Sequence, residues 1–421
     1  MKICPLIVLC WLSMIGLVQS TAAQQSFRLK EIKFTGLKRF TELQVAPFSE
    51  LKIDQQLTIE DLQKATEQLS RTGLFDTVSY QYKFENGALQ VEFLVEESSH
   101  LLPCNFDNFV WMNEEEIRQF LKKEVPIFDG TAPPIGSVLD RIIESLNGFL
   151  KKQKIPGTVT LMAAATDRSN KLDHLFRVEG VDIVISNVKF EGLRALDAKQ
   201  LEKVVTPLIG KQYSRFYAAQ FASANLVPMY RKLGFLGVRL NPKASVLSAE
   251  PGSVRVLLTY DTEEGPSYKW DRAFWSGNIQ FPSEELDKQM AMIPGQVADG
   301  IRIDEGLKTV KALYARHGYV EAQIEAGQEF SSAGSQVRYH FSVKEGTQYR
   351  MGGFEIVGAS QRTAELIKEK WLLRPGDVFN GAYAEEFVDR EVSGAQGPKG
   401  VKVEASLDRE KKLVNVTIRF L

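Results

Sequence analysis

The chain has 421 residues, too many for one hydrophobic core, so it divides into several. Apolar residues make up 44% and charged residues 25%, the balance of an ordinary globular protein. A formal net charge of −1, with no long block of one sign, argues against a general polyanion binder such as a nucleic-acid protein.

The first element reads as a leader. Lys2 precedes an apolar run from Ile3 to Val18, and Ser20-Thr21-Ala22-Ala23-Gln24 follows. That order predicts a secretory signal peptide over residues 1–23, cleaved near Ala23. The run falls short of the roughly 20 residues that span a bilayer, which disfavours an uncleaved anchor. Leu9 is too bulky for Cys10 to be a lipidation site. Cys4 and Cys10 leave with the leader and only Cys104 remains, so no internal disulfide is expected. No later segment is apolar enough for a membrane helix. An exported chain held together by burial alone is the expectation.

Beyond the leader, one grammar recurs. An apolar strand ends in Gly at Ile32-Lys33-Phe34-Thr35-Gly36, Val188-Lys189-Phe190-Glu191-Gly192, Ala273-Phe274-Trp275-Ser276-Gly277 and Phe354-Glu355-Ile356-Val357-Gly358. Residues two and four before each Gly are mostly apolar, the period of a strand with one buried face. First helices are predicted at Thr41–Val45, Asp197–Val205, Ser283–Met292 and Thr363–Leu372. Gly-containing corners follow at Ile209-Gly210-Lys211, Ile293-Pro294-Gly295 and Arg374-Pro375-Gly376. Each second helix ends in a Gly-aromatic corner, at Gly73-Leu74-Phe75, Gly234-Phe235 and Gly318-Tyr319. Leu69, Tyr230 and Tyr314 stand four before those glycines and Ala65, Leu226 and Val310 eight before, a single helical face.

Two strands close each module: Thr77–Phe84 with Ala88–Val95 around an Asn86-Gly87 turn, Val238–Leu247 with Val254–Tyr260, and Tyr319–Ala326 with Val337–Val343. Glu264-Gly265 and Glu345-Gly346 end two modules, with Glu179-Gly180 as a candidate third. The later copies step by about 80 residues, which indicates serial domains rather than a thin solenoid. The fold class is therefore α+β: tandem β-α-α-β-β modules over 27–97, 98–183, 184–265, 266–346 and 347–421, each a three-stranded mixed sheet with two helices on one face. The second, degenerate module is expected to hold a strand near Phe106–Trp111, helices near Glu114–Lys123 and Ser137–Lys152, and strands near Gly157–Ala164 and His174–Val181. The fifth has a short second helix, Ala382–Asp389, and a loose stretch, Gly394–Gly400.

These strand-Gly and helix-Gly-aromatic cassettes resemble POTRA domains, the periplasmic modules of BamA-type outer-membrane assembly factors, over about residues 27–421. The resemblance implies a periplasmic array, peripheral to the outer membrane, that receives unfolded outer-membrane proteins and docks a separate β-barrel or envelope protein. Members of the family continue into a membrane barrel, which needs at least eight further strands of about ten residues. This sequence stops at Leu421 on the strand Leu413–Phe420, so it is either a barrel-free member or part of a longer chain. A tether between envelope proteins is the alternative from the structural class.

By the same resemblance, the second strand of each module is the edge. An edge strand offers unpaired main-chain groups to an extended partner with little demand on sequence. The candidate residues are Val238, Arg239 and Leu240, with Tyr319 and Val320. A second candidate is aromatic: if Trp275 points inward, alternation puts Trp270 and Phe274 on the opposite face as a partner patch or a seal between domains.

Catalytic chemistry is not evident. His100, His174, His317 and His340 are scattered with no ligand spacing, so no metal or other cofactor is expected. Gly-x-Ser-x-Gly and phosphate-loop signatures are missing. Met351-Gly352-Gly353 to Gly358 is no dinucleotide fingerprint, and Glu114-Glu115-Glu116 after Asn113 reads as a capped, acidic first turn. The expectation is a non-enzyme without a small-molecule substrate.

Overall fold

The computed structural model describes residues 26–85, 87–165, 172–331, 335–392 and 400–421. The leader over 1–23, Asn86 of the Asn-Gly turn and nearly all of Gly394–Gly400 lie outside the described residues. The chain forms two compact units, one ending at Val181 and one spanning Asp182–Leu421.

The first unit holds two sheets of one design. β1 (Phe27–Thr35), α1 (Glu42–Val45), β2 (Gln56–Leu57), α2 (Ile59–Arg71), β3 (Phe75–Glu85) and β4 (Ala88–Glu97) make the first, with strand order β2-β1-β4-β3. β1 is parallel to β4, and the other pairings are antiparallel. The second has β5 (Leu102–Phe106), α3 (Glu114–Glu124), β6 (Thr131–Ala132), α4 (Ser137–Lys152), β7 (Thr158–Ala165) and β8 (Leu172–Glu179), ordered β6-β5-β8-β7.

The second unit repeats the design three times. Its first sheet, β10-β11-β9, comprises β9 (Asp182–Glu191), β10 (Arg239–Glu250) and β11 (Ser253–Glu263), with helices α5 (Ala198–Val205), α6 (Arg215–Phe221) and α7 (Val227–Lys232). The next, β12-β14-β13, comprises β12 (Lys269–Ser276), α8 (Ser283–Met290), α9 (Gly300–Arg316), β13 (Gln323–Phe330) and β14 (Gln336–Lys344). The last, β15-β17-β16, comprises β15 (Arg350–Val357), α10 (Gln361–Lys370), α11 (Tyr383–Phe387), β16 (Val401–Asp408) and β17 (Leu413–Phe420). α6 and α7 are one helix interrupted by a π turn at Ala222–Leu226. Pro228 follows that turn and has no N–H for the regular ladder, which forces the wider spacing.

The cores lie between each sheet and its helices. Ala65, Leu69, Leu226, Tyr230, Val310 and Tyr314 are all buried, as their four-residue spacing requires. Asn113 caps α3 by accepting from the Glu116 N–H, so the acidic run is a first turn.

A fourth pairing was not foreseen. Beside the first strand of each module lies a short partner: β2, β6, or a single bridge at Val184–Gln212, Lys269–Val297 and Arg350–Val378. The carbonyls of Leu29, Ile185, Trp270 and Met351 accept from the N–H of Asp54, Gly210, Gly295 and Gly376 at 2.7–2.8 Å. All four donors have positive φ, 69° for Asp54 and 81–90° for the glycines. Immediately afterwards these four first strands bulge: after Leu29, within β9, after Trp270 and after Met351.

That bulge corrects the reading of β12. Asp271 and Arg272 together oppose the single Arg338, and that one extra residue shifts the alternation, so Trp270 joins the covered face at 3% exposure while Phe274 stays outside at 44%. Two strand starts also move. Val238 sits in the turn before β10, and Tyr319 and Val320 sit in the corner before β13, which begins four residues later than expected at Gln323. The Tyr319 N–H still donates to Tyr314 and the Ala322 N–H to Tyr319, which keeps the corner coiled past Gly318. In the second module β5 ends at Phe106 rather than running to Trp111. There Asn108 replaces main chain with side chain, accepting from the Val178 N–H at 2.7 Å and donating to its carbonyl at 2.9 Å.

Candidate binding edges and the joints that position them

Four of the five first strands are locked to their central neighbour by a glycine. A Cβ on Gly36, Gly192 or Gly277 would collide with the carbonyl oxygen of Val95, Thr262 or Val343. Two residues past each carbonyl, a glutamate turns back over the loop that the glycine begins. Glu97 accepts from the amides of Lys38, Arg39 and Phe40, Glu264 from Arg194 and Ala195, and Glu345 from Gln280. The sequence pattern had marked Glu264 and Glu345 only as module ends. Glu97, followed by Ser98 rather than Gly, was missed, and the proposed third, Glu179, is exposed. Glu345 also accepts from the buried Tyr314 hydroxyl at 3.0 Å. Burial first, then that carboxylate, raises the Tyr314 pKa.

The Gly-aromatic corners are joints within each unit. The Gly234 carbonyl accepts from the Tyr268 N–H at 3.0 Å, and the Gly318 carbonyl from the Tyr349 N–H at 2.9 Å, each at the start of the next module. Arg231 reaches across to Asp304 at 2.6 and 3.0 Å and to the Gly300 carbonyl at 3.0 Å. At the next joint the Gly381 N–H donates to the Ala315 carbonyl, and Arg316 pairs with Glu386. Tyr349 and Arg409 both bond Glu321, the Tyr349 hydroxyl at 2.5 Å, and in that order they hold its carboxyl below the usual range. In the first unit Arg39 pairs with Asp129, and the Arg141 guanidinium lies 4.4 Å from the Phe48 ring centroid.

Two candidate residues lie off the edge, one at a joint and one on its own module's core. Val320 packs against the core cluster of Tyr349, Met351 and Phe379 in the fifth module, and the Tyr319 hydroxyl donates to Gln280 at 2.8 Å. Neither belongs to an edge. Trp270 is core, stacked on Tyr339 with centroids 5.2 Å apart, while Phe274 lies on the uncovered face against His340. In β10, Arg239 is exposed beside Glu263, and Leu240 points into the core at 8% exposure.

At one end of the five sheets lie β3, β7, β10, β13 and β16, and at the other end β2, β6, β9, β12 and β15. β10 carries Pro242 and Lys243, β13 carries Glu325 and Glu329, and β16 carries Lys402 and Glu404, residues that guard an edge. β3 carries Lys83 and Glu85, but its covered face extends past the helices as an aromatic ladder. Tyr82 is 44% and Phe84 50% exposed, and the Phe27 ring packs 4.5 Å from Phe84. In the same module Ile32, Phe34, Leu43 and Ile53 line an apolar cleft of about 420 Å³.

Among the described residues no cluster of three His, Cys, Asp or Glu side chains is placed to hold a metal. Cys104 is fully buried, and burial pushes its thiol up to about 12, which keeps it unreactive. No described helix is long and apolar enough to cross a membrane.

Comparison with known proteins places this geometry. The POTRA family model, described as surface antigen variable number repeat, matches residues 27–98 and 268–346. A Treponema pallidum (strain Nichols) protein whose name assigns it to outer membrane protein assembly is 24% identical over 212 residues, 48% of this chain and 25% of that protein. Outer membrane protein assembly factor BamA of Buchnera aphidicola is 19% identical over 376 residues, 86% of this chain and 59% of its own length. A crystal structure of Haemophilus influenzae BamA POTRA3-5 covers 56% of this chain and 96% of its own, with 16% identity and a TM-score of 0.46. The chain thus spans between a quarter and three fifths of the relatives it matches. The POTRA family model thus matches the first and fourth modules, and the other three modules repeat the same sheet order.

Proposed function

We propose that this array is a non-enzymatic receptor in the periplasm, peripheral to the outer membrane, that helps outer-membrane proteins to assemble or be secreted. It adds a strand of an unfolded client to an outer strand of a module, and it docks a separate barrel or envelope protein. The observation that carries the reading is the repeated sheet order, in which the second long strand of every module is outermost. Main-chain pairing at such an edge asks little of the client's sequence, which suits many different clients. The names of the two relatives support the same process, and the signal-like start supports export.

Cross-linking in intact envelopes, followed by mass spectrometry of what co-purifies, tests this. Several unfolded barrel proteins together with one barrel partner are expected. Recovery of a single folded envelope protein and no barrel precursors would mean a tether instead.

A further inference from the structure

We infer that a second copy of this chain docks on the first module, each copy placing Leu43 in an apolar hollow of the other across a two-fold axis. This stands apart from the client reading above. Leu43 is 90% exposed on α1, two residues after the helix cap Thr41. At the same place in the other four modules stand Glu115, Lys199, Glu284 and Arg362, two residues after Asn113, Asp197, Pro282 and Ser360. Two residues further on, Val45, Ile117, Leu201 and Leu286 are fully buried, so the positions correspond. A charge is the rule there, and the first module alone carries a large apolar side chain.

Leu43 belongs to a patch. It stands at the rim of the cleft of about 420 Å³ that Ile32, Phe34, Pro47 and Ile53 line, and Ile53 is 52% exposed. Glu42, the charged residue of that lining, is taken up by the Phe34 N–H, from which it accepts at 3.0 Å. The second module shows what covers such a corner. Pairing of Arg28 with Gln56 and of Pro103 with Thr131 sets the two corners in register, so Ile53 corresponds to Phe128, Asp54 to Asp129 and Leu51 to Pro126. There α1 and the loop before it reach over from the first module. Arg39 pairs with Asp129 and donates to Thr131 at 2.8 Å, Gln44 donates to the Pro126 carbonyl at 2.9 Å, and Phe128 is 3% exposed. The occupant of that corner is the α1 end of another module of the same design.

The first module's own corner fits the same kind of occupant with different chemistry. Arg28 already pairs with Asp54 at 2.8 Å, so no arginine is called for and what remains to be matched is apolar. The Leu43 end of a second copy's α1 supplies that match. A protruding apolar side chain beside an apolar hollow is self-complementary, because a two-fold axis sets each Leu43 against the hollow of the other copy. The rim is self-complementary too. Glu50 and Lys52 flank Leu51, both are exposed, and among the described residues neither forms an ion pair. The axis brings the acid of one copy to the base of the other. A contact centred on one small module supports a transient dimer, with a Kd on the order of 10 µM.

The test is sedimentation equilibrium of the full chain from about 1 to 200 µM. Leu43→Glu gives the first module the residue that the second and fourth carry, and Ile53→Lys charges the hollow. Ile279→Glu is the control, since Ile279 is 92% exposed in the fourth module. All three side chains lie at the surface, and thermal melting confirms that each variant is folded.

The inference expects a monomer–dimer equilibrium in the wild type, weakened about tenfold or more by L43E and by I53K and less than about twofold by I279E. A wild type that stays monomeric throughout overturns it. So does a dimer that L43E and I53K leave intact, or one that I279E weakens as much as they do. Growth past the dimer that L43E abolishes would mean a head-to-tail contact and overturn the two-fold arrangement. A monomeric wild type that sediments with phosphatidylethanolamine–phosphatidylglycerol vesicles, and loses this in L43E, would make the occupant a lipid surface and overturn the second copy.

Discussion

Trp270 and Trp275 face the same side of β12 although an odd number of steps separates them. Trp270 stacks on Tyr339, and Trp275 packs 4.5 Å from Phe341 and donates to Asp287 on α8. The bulge at Asp271–Arg272 makes this possible, and Arg338 bonds Asp271 there at 2.6 Å. Leu29, Ile185 and Met351 stand just before the equivalent bulges and are equally buried, so position 270 is a core position of the module design.

Trp270→Ala should therefore cost about 3–5 kcal/mol in urea unfolding, the range for losing a buried large side chain. Phe274→Ala, on the uncovered face, should cost less than about 1 kcal/mol. Equal losses would contradict the assignment of faces.

Gly277 and Gly295 both have positive φ, but only Gly277 meets a neighbour. Gly295→Ala should cost about 1–2 kcal/mol of backbone strain. Gly277→Ala adds the collision with Val343 and should cost about 3 kcal/mol or more, or prevent folding. Parallel unfolding curves of the two variants make the comparison.

Reading these modules from sequence succeeded where a residue has one local job. Gly36, Gly192, Gly277 and Gly358 all take φ between 73° and 105°, and the helix stripes through Tyr230 and Tyr314 are buried. It failed where two segments far apart decide the geometry. The bulge in β12 follows from a bond between the Gly295 N–H and the Trp270 carbonyl, which no alternation within the strand reveals. Asp54 hides the same corner in the first module, since an aspartate there holds a conformation glycine holds elsewhere. Tyr319 and Val320 had strand-like composition, yet Val320 packs into the fifth module and Tyr319 onto the fourth module's own core.

Glu321 gives the joint between the fourth and fifth modules a pH dependence. The Tyr349 hydroxyl and Arg409 depress its folded pKa, so its stabilisation is full above the unfolded carboxyl value of roughly 4.3 and is lost as pH falls through the lower folded value. Glu321→Gln should lower the melting temperature at pH 7, and the gap from wild type should narrow below about pH 4. A gap independent of pH would contradict the ionised state at this joint.

Arg231 and Asp304 provide a second test of the joints. Arg231 is 25% exposed and Asp304 47%, so the pair is only partly desolvated. A double-mutant cycle with Arg231→Ala and Asp304→Ala should give a coupling of about 0.5–1 kcal/mol in stability. Simple additivity would show that the contact does not hold the third and fourth modules together.

The central claim, that this array binds extended chains along its outer strands, is tested most directly by amide hydrogen exchange. The full chain would be compared with and without an excess of an unfolded outer-membrane barrel protein held in urea-free, detergent-free buffer. The account predicts new protection on outer-strand amides, with little change in the central strands β4, β8, β11, β14 and β17. Protection confined to helix faces or to the apolar cleft around Leu43, with the outer strands unchanged, would contradict it.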